Sequence, residues 1–355
     1  MNICIMTGAR PNFVKVAPLI RSIKNAQQEG RDVRYLLVYA GAEDDPTLEG
    51  SLFSDLEMPR PDVYLGVKSQ NVNEITGEVM NTFEAYLNEH PTDVVIVVDD
   101  LASTMAAAIV AKKHGIRLAH LVAGTRSFDI NMPKEINRLV IDGLSDLLFT
   151  AGNGVGTTAD QSKIYVVGNI LMDTLRFNLP RFRRPEILSE KNIADGKYAV
   201  LTINRRALLA DTPKLKAMLA SMSKEMGSLP IITPLRNEAA SIVAPLAEGL
   251  GNIVIVPPLS YLEFGYLTAH ALCVITDSGN VAEEATFNGV PCITLNNYTE
   301  HIETVKQGTN VLVNEDADLL SATLRDILSG EPKTYSIPER WDGRTADRIL
   351  QTLLG

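Results

Sequence analysis

The residues best placed to do chemistry in this 355-residue chain lie between Ala271 and Glu284, where the sequence reads ALCVITDSGNVAEE. Ala271 to Ile275 is an apolar run of the length expected for a buried parallel strand. Thr276-Asp277-Ser278-Gly279 is a tight polar turn, and Val281, Ala282, Ala285 and Phe287 can then line one side of a helix. A strand, a glycine-containing turn and a helix start make an anion site. The first N–H groups of a helix have no partner within it, and the helix dipole adds partial positive charge there. Gly279 lets the backbone come close to a phosphate. Glu283 and Glu284 fall too far along to cap the helix, but a carboxylate at that place can accept hydrogen bonds from ribose hydroxyls. The competing reading is structural, since any α/β protein contains such turns.

The elements that would position this stretch follow in order. Asn2–Met6 reads as a strand running into Thr7-Gly8-Ala9-Arg10-Pro11, with Pro11 suited to the first turn of a helix. Val14, Leu19, Ile20 and Ile23 give that helix an apolar stripe. Arg34–Tyr39, Thr92–Val98, Leu118–Val122, Leu147–Thr150 and Ile164–Val167 read as further strands, with helices at Asn73–Asn88, Ser103–His114 and Pro133–Leu144. Glu43–Asp55 reads as a loop with a short helix. The alternation breaks near Gly168–Pro185 and restarts with strands at Ala199–Ile203, Pro230–Thr233, Ile253–Val256, Leu272–Ile275 and Cys292–Leu295. Thr212–Lys224, Asp316–Leu328 and Thr345–Leu354 are the clearest later helices. Strand–helix alternation predicts doubly wound parallel sheets, here two α/β Rossmann-like domains. The expected division is 1–170, 171–340, and a terminal helix in 341–355 that packs back on the first domain. Ligands of such sheets bind beyond the carboxyl ends of the strands.

Composition agrees with this and removes some functions. The chain is 45% hydrophobic and 21% charged, enough to bury sizeable cores. A net charge of −10 argues against nucleic-acid or anionic-membrane binding. Cys4, Cys273 and Cys292 all sit in apolar runs and read as small buried hydrophobes, which fits a reducing cytoplasm. The N-terminus lacks signal-peptide character, and no apolar run is long enough to span a membrane. His90, His114, His120, His270 and His301 are scattered without metal-ligand spacing, so no metal site is expected.

At this point the chain resembles the non-hydrolysing UDP-N-acetylglucosamine 2-epimerases, whose fold is the two-domain glycosyltransferase-B type. The resemblance runs through Gly8-Ala9-Arg10-Pro11 with Lys15 and Ala17-Pro18, His120 with Ala123-Gly124 and Arg126-Ser127, then Glu135, Asn137 and Arg138. It continues through Gly168-Asn169, Asp173, Pro258-Leu259, Tyr261, Phe264, the opening stretch, Thr299-Glu300 and Glu303. It implies that UDP is held by Arg10 on the phosphate or sugar side, by Phe264 near the uracil, by Ser278, Gly279 and Asn280 on the diphosphate, and by Glu283 on the ribose. A guanidinium suits a diphosphate because its fork donates two parallel hydrogen bonds. The implied reaction removes the sugar C2 proton, expels UDP to leave 2-acetamidoglucal, and adds UDP back with a proton on the other face. That needs a base, an acid and stabilisation of the leaving diphosphate. It implies no cofactor, a UDP-N-acetylhexosamine substrate, a role in polysaccharide biosynthesis and a homodimer.

The departures from the family pattern fall on the acid–base groups. Val98-Asp99 stands where the family has His-Gly before the matching Asp100. Val122 replaces the glutamate of the His-Val-Glu-Ala-Gly loop, and Lys134 the first of two glutamates, leaving Glu135. Asn204 replaces the histidine of Thr-x-His-Arg, followed by Arg205 and Arg206, and Ala207 replaces the glutamate after them. The glutamate of Arg-Pro-Glu is Asn12, the second glycine of Ser-Gly-Gly is Asn280, and Gly-Gln-His reads Gly41-Ala42-Glu43. Valine and asparagine transfer no protons at neutral pH. The candidate acid–base residues are therefore Asp100, Lys134, Glu135 and Lys15, with His120, Asn204, Arg205 and Arg138 as further site residues. A solvated strand end that caps the next helix is the alternative for Asp99-Asp100. Three functions follow: a divergent 2-epimerase, a non-catalytic UDP-sugar-binding relative, or a glycosyltransferase of the same fold.

Overall fold

The structure is a computed structural model that describes residues 1–152 and 160–355. Two compact units form, Met1–Phe177 with Glu339–Gly355, and Asn178–Pro338. The first contains β1 (Asn2–Thr7), α1 (Arg10–Gln28), β2 (Arg34–Gly41), α2 (Gly50–Asp55), β3 (Val63–Val67), α3 (Val72–Glu89), β4 (Val94–Val98) and α4 (Ala102–Lys113). It continues with β5 (Arg117–Ala123), α5 (Pro133–Leu144), β6 (Leu147–Thr150), β7 (Ile164–Val166) and α6 (Ile170–Asn178). The second contains α7 (Glu186–Glu190), β8 (Ala199–Thr202), α8 (Arg206–Ala210), α9 (Thr212–Met226), β9 (Ile231–Pro234), α10 (Asn237–Leu246) and β10 (Ile253–Val256). Then come α11 (Tyr261–Ala269), β11 (Cys273–Thr276), α12 (Gly279–Asn288), β12 (Cys292–Thr294), α13 (Ile302–Lys306), β13 (Asn310–Leu312) and α14 (Ala317–Leu328). The last helix, α15 (Thr345–Leu354), belongs to the first unit and packs against α1. Ala346 N–H donates to Asp173 Oδ2 at 2.8 Å, and Ser22 Oγ to Asp347 Oδ1 at 2.9 Å.

Each unit has one parallel sheet, as the strand–helix alternation predicts. The orders are β3-β2-β1-β4-β5-β6-β7 and β10-β9-β8-β11-β12-β13. Central strands such as β4, Val94–Val98, are buried throughout, because helices cover both faces and every side chain must be apolar. Strand order reverses between β1 and β4 in the first unit and between β8 and β11 in the second. At such a switch the neighbouring crossovers leave toward opposite faces, which opens a crevice beyond the strand ends. The residues flanking these two crevices are Gly8–Arg10 with Asp99-Asp100, and Asn204-Arg205 with Asp277–Gly279.

The sequence reading missed β3 and β13. Both are edge strands, short and half-exposed, so neither carries the continuous apolar run of a central strand. It also missed α6, which fills the stretch read as a break and buries Leu171, Met172 and Leu175.

Two non-glycine residues with left-handed backbones stand side by side at the first crevice, Asp99 with φ 59° and Val122 with φ 70°. Val122 falls where the β5–β6 register shifts between Leu121 and Ala123. A branched Cβ in the left-handed region costs roughly 1–2 kcal/mol. Asparagine tolerates this conformation better. Val122→Asn is expected to stabilise the chain by about 1 kcal/mol, read as a higher urea midpoint; an unchanged or lower midpoint would show that Val122 is not strained.

Candidate active site

In the N-terminal unit the site begins where β1 turns into α1. A Cβ on Gly8 would lie 2.0 Å from Ser103 Oγ and 3.2 Å from its Cβ, so a larger residue here would push on the start of α4. Asn12 is buried and its Oδ1 accepts from the N–H groups of Gly8 (2.8 Å) and Ala9 (3.3 Å). Its Nδ2 donates to Asp99 Oδ2 at 2.7 Å, and Lys15 Nζ donates to Asp99 Oδ1 at 2.6 Å. Arg10 is turned to Glu49, donating from Nε at 2.9 Å and from Nη2 at 2.6 Å.

Asp100 is held by a different group of cations. Arg138 donates to its Oδ2 from Nε (2.8 Å) and Nη2 (2.5 Å), while Lys134 Nζ lies 3.7 Å from Oδ1. Burial pushes the Asp100 carboxyl up, but the Lys134 ammonium and the Arg138 guanidinium outweigh it and hold it below the usual carboxylate range. Glu135 Oε2 accepts from Ser127 N–H and Oγ–H, both at 2.8 Å, and Arg138 Nη1 lies 3.4 Å away. Its burial is likewise outweighed, by the Ser127 hydrogen bonds and by Arg126 and Arg138, so its carboxyl is also lowered. His120 Nδ1 meets Asp142 Oδ1 at 2.5 Å, and its Nε2 meets the Asp99 carbonyl at 2.8 Å. Arg126 Nη2 donates to Asp142 Oδ2 at 2.6 Å. Against the cost of burial, His120 and Arg126 lower the Asp142 carboxyl.

One unit thus brings together Lys15, Asp100, Lys134, Glu135, Arg138 and His120, all named from the sequence. It adds Asn12, Asp99, Arg126 and Asp142, whose part the sequence reading did not assign. Asp99 was weighed there as a solvated strand end, but its side chain is 16% exposed and bound to a buried lysine. The only signal in the chain was its place directly after the most apolar strand. The lowered carboxyls of Asp100, Glu135 and Asp142 stay ionised near neutral pH, as hydrogen-bond acceptors and weak bases.

In the C-terminal unit the opening stretch forms the strand, turn and helix read from it. Ser278 is the N-cap of α12, its Oγ accepting from Val281 N–H at 3.5 Å. Asp277 Oδ2 accepts from the N–H groups of Asn204 and Arg205, both at 2.7 Å, tying the loops after β8 and β11 together. Its other oxygen, Oδ1, is buried with no hydrogen-bond partner, and burial raises its carboxyl despite those N–H bonds and Arg205. Arg205 Nη2 donates to Tyr298 OH at 2.5 Å, and Asn204 is exposed beside it. Phe264 is half-buried on α11, whose start is fixed by Ser260 and Glu263 in a reciprocal cap. Asn280 is partly exposed in the first turn of α12.

His301, which the sequence reading passed over as lacking metal-ligand spacing, lies beside these residues. A Cβ on Gly279 would be 2.5 Å from its Cδ2 and 2.7 Å from its Nε2, so the imidazole rests on the first residue of α12. Its Nδ1 is 2.9 Å from Glu283 Oε1 and 3.9 Å from Glu303 Oε1. Ligand atoms of Glu283, His301 and Glu303 lie within 4.8 Å of one another, the one such group found among the described residues. Glu283, expected at the ribose, is therefore already paired with an imidazole. A cavity of about 840 Å³ lined by Lys191, Lys197, Ser223 and Asn252 opens at the other end of this sheet, away from these residues.

Comparison with known proteins decides the family. Residues 25–354 match the family model described as UDP-N-acetylglucosamine 2-epimerase. The chain belongs to the UDP-N-acetylglucosamine 2-epimerase family. A UDP-N-acetylglucosamine 2-epimerase homolog of Methanococcus maripaludis is 32% identical, with 99% of each chain covered. The UDP-2,3-diacetamido-2,3-dideoxy-D-glucuronate 2-epimerase of Pseudomonas aeruginosa is 30% identical over 92% of each. The crystal structure of Methanocaldococcus jannaschii UDP-GlcNAc 2-epimerase with UDP-GlcNAc and UDP aligns at 30% identity and TM-score 0.86, covering 99% of each chain. The fold class is the glycosyltransferase-B type expected of the family, two Rossmann-like parallel-sheet units. Among the described residues, no helix is long and apolar enough to cross a membrane.

Glu284, the neighbour of Glu283 on α12, shows what burial does inside this epimerase-family helix. Burial, reinforced by Glu283, pushes its carboxyl from 4.5 up to about 8. A carboxyl raised in the folded state favours folding below its unfolded value, and that contribution is lost as pH rises from 4.5 through about 8. Glu284→Gln is expected to raise Tm by roughly 5 °C above pH 8 and to leave it near wild type at pH 4.5, by differential scanning calorimetry. Equal shifts at both pH values would show that Glu284 is not ionised at a cost.

Proposed function

We propose that this chain epimerises a UDP-N-acetylhexosamine at C2, interconverting UDP-N-acetylglucosamine and UDP-N-acetylmannosamine. The C2 proton passes to a base, and the C2–H electrons form a C1=C2 double bond. The C1–O electrons leave with UDP. UDP oxygen then re-forms the bond to C1 while a proton is delivered to the opposite face of C2. The steps sum to an isomerisation, so no redox cofactor enters. The match to the family over residues 25–354 carries this reading.

The chain's own residues support a division of tasks. Ser278, Gly279 and Asn280 open a ten-residue helix and would take the diphosphate on its leading N–H groups. Glu283 would exchange His301 for the ribose, and Phe264 would lie against the uracil. Arg10 would exchange Glu49 for the diphosphate, a change of one anion for another. Lys15 would serve as the acid, and Asp100, Lys134 and Glu135 would act at the sugar, with Arg138 and His120 holding them. Asn204 and Arg205 would line the sugar side. The three buried, unpaired cysteines favour a cytoplasmic setting. We further propose a homodimer, because α5 leaves Ile136 and Leu139 exposed on one face. Light scattering should return twice the 38.7 kDa of the chain; a monomer mass would refute the pairing.

One observation favours a second reading, a UDP-sugar binder without turnover. Val122 and Asn204 carry no titrating group, and the surviving carboxyls of Asp100 and Glu135 are lowered. The test is incubation of the chain in deuterated water with UDP-N-acetylglucosamine, and separately with UDP-2,3-diacetamido-2,3-dideoxyglucuronate, following C2 by NMR. Deuterium at C2 of UDP-N-acetylglucosamine is expected; deuterium in the diacetamido-glucuronate alone would overturn the substrate named here. Tight UDP binding with no deuterium at C2 would establish the second reading instead.

A further inference from the structure

Asp99 is unexplained by the family pattern and sits in the left-handed backbone region. It carries φ 59° at the end of the central strand, a conformation that suits glycine. A non-glycine backbone of this kind persists only where the surroundings over-determine it. Three contacts do so here. Asp99 Oδ1 takes Lys15 Nζ at 2.6 Å, Oδ2 takes Asn12 Nδ2 at 2.7 Å, and its carbonyl meets His120 Nε2 at 2.8 Å. Lys15 is 7% exposed, and an ammonium that deep needs a counter-charge to remain charged.

Asn12 is the other half of the arrangement. It is the third residue of α1, and its Oδ1 takes the N–H groups of Gly8 and Ala9. Glutamate does that work at this helix position in a capping box. A glutamate there would also lie three residues before Lys15, within ion-pairing reach. The pattern this chain resembles has glutamate at position 12 and glycine at position 99. The two side chains touch at 2.7 Å, so the two departures are not independent. Where the family pattern would carry its carboxylate on α1, this chain carries one at the end of β4, held by the Asn12 amide.

We propose that Asp99 is the positioning residue of Lys15, and that Asn12 and Asp99 together are one coupled replacement for glutamate and glycine that keeps the ammonium charged and in place. The meaning of the pair for proton transfer rests on the reading given under the proposed function; the pairing itself does not. The charged groups around Lys15 include Asp99 and the adjacent Asp100 from the end of β4, whose carboxyl feels the Lys15 charge. Behind them stand Arg138 and Lys134 from α5, on Asp100, and His120 from β5, on the Asp99 carbonyl.

The experiment uses the full chain labelled at lysine Cε, with the Lys15 signal assigned from Lys15→Arg, and follows its titration by NMR. Asp99→Asn keeps a residue that accepts the left-handed backbone but removes the charge. It should lower the Lys15 midpoint by about one pH unit or more. Asp99→Gly should do the same, and Asn12→Glu combined with Asp99→Gly should return the midpoint close to wild type. C2 deuterium exchange should fall at least roughly tenfold in Asp99→Asn, its alkaline limb moving to lower pH with Lys15, and recover in the double variant. An unmoved Lys15 midpoint in Asp99→Asn, or a double variant no better than Asp99→Gly alone, would overturn the proposal. Wild-type chain without C2 exchange, but with the expected Lys15 pattern, would sink the epimerase reading and leave the positioning role standing.

Discussion

Buried charge in the N-terminal unit must find opposite charge, and that requirement shapes the whole crevice at β1, β4 and β5. Lys15, Arg126 and Arg138 are nearly inaccessible, and so are Glu135, Asp142 and most of Asp99 and Asp100. Removing one member of a buried pair leaves the other uncompensated, at a cost of roughly 3–5 kcal/mol. The contacts therefore run as a chain, from Asn12 and Lys15 through Asp99 to His120, Asp142 and Arg126, then Glu135, Arg138 and Asp100. The network offers hydrogen-bond donors and acceptors, and few carboxyls whose proton affinity is tuned toward neutral pH.

The C-terminal unit solves a different electrostatic problem. The start of α12 presents N–H groups and helix dipole to an anion, and its side chains at that end are small. One turn further along, three carboxyls, Glu283, Glu284 and Glu303, crowd a region with one imidazole. Burial and Glu283 raise both Glu284 and Glu303 as a result. His301 stands between the two regions, against Gly279 on one side and Glu283 on the other. It links the part of the helix that attracts negative charge to the part that must disperse it.

The chain's local patterns carried much of this information. β4 reads as a central strand because five consecutive apolar residues are what two covered faces demand. The α12 start reads from Ser278-Gly279, and α5 from Pro133 through Leu144, because caps and helix periodicity act over a few residues. Edge strands β3 and β13 escaped, since a half-exposed strand has no such constraint on its composition. The site divides in the same way. Asp100, Arg138 and Glu135 stand in recognisable spacing within short stretches. Asp99, Asp142 and His301 do not, because what gives each its place is a partner far away in the chain: Lys15, His120 and Glu283.

The sequence by itself determined that two parallel doubly wound units form and that their strand ends carry charged and glycine-rich turns. Those properties follow from period, propensity and capping, which are local. Only the tertiary structure decided which charges neutralise one another. It turned Arg10 to Glu49, set Asp99 rather than Asp100 against Lys15, and laid His301 on Gly279. Pairing depends on distances of a few ångströms between residues tens or hundreds of positions apart, and Coulomb energy and desolvation act on those distances, not on spacing along the chain.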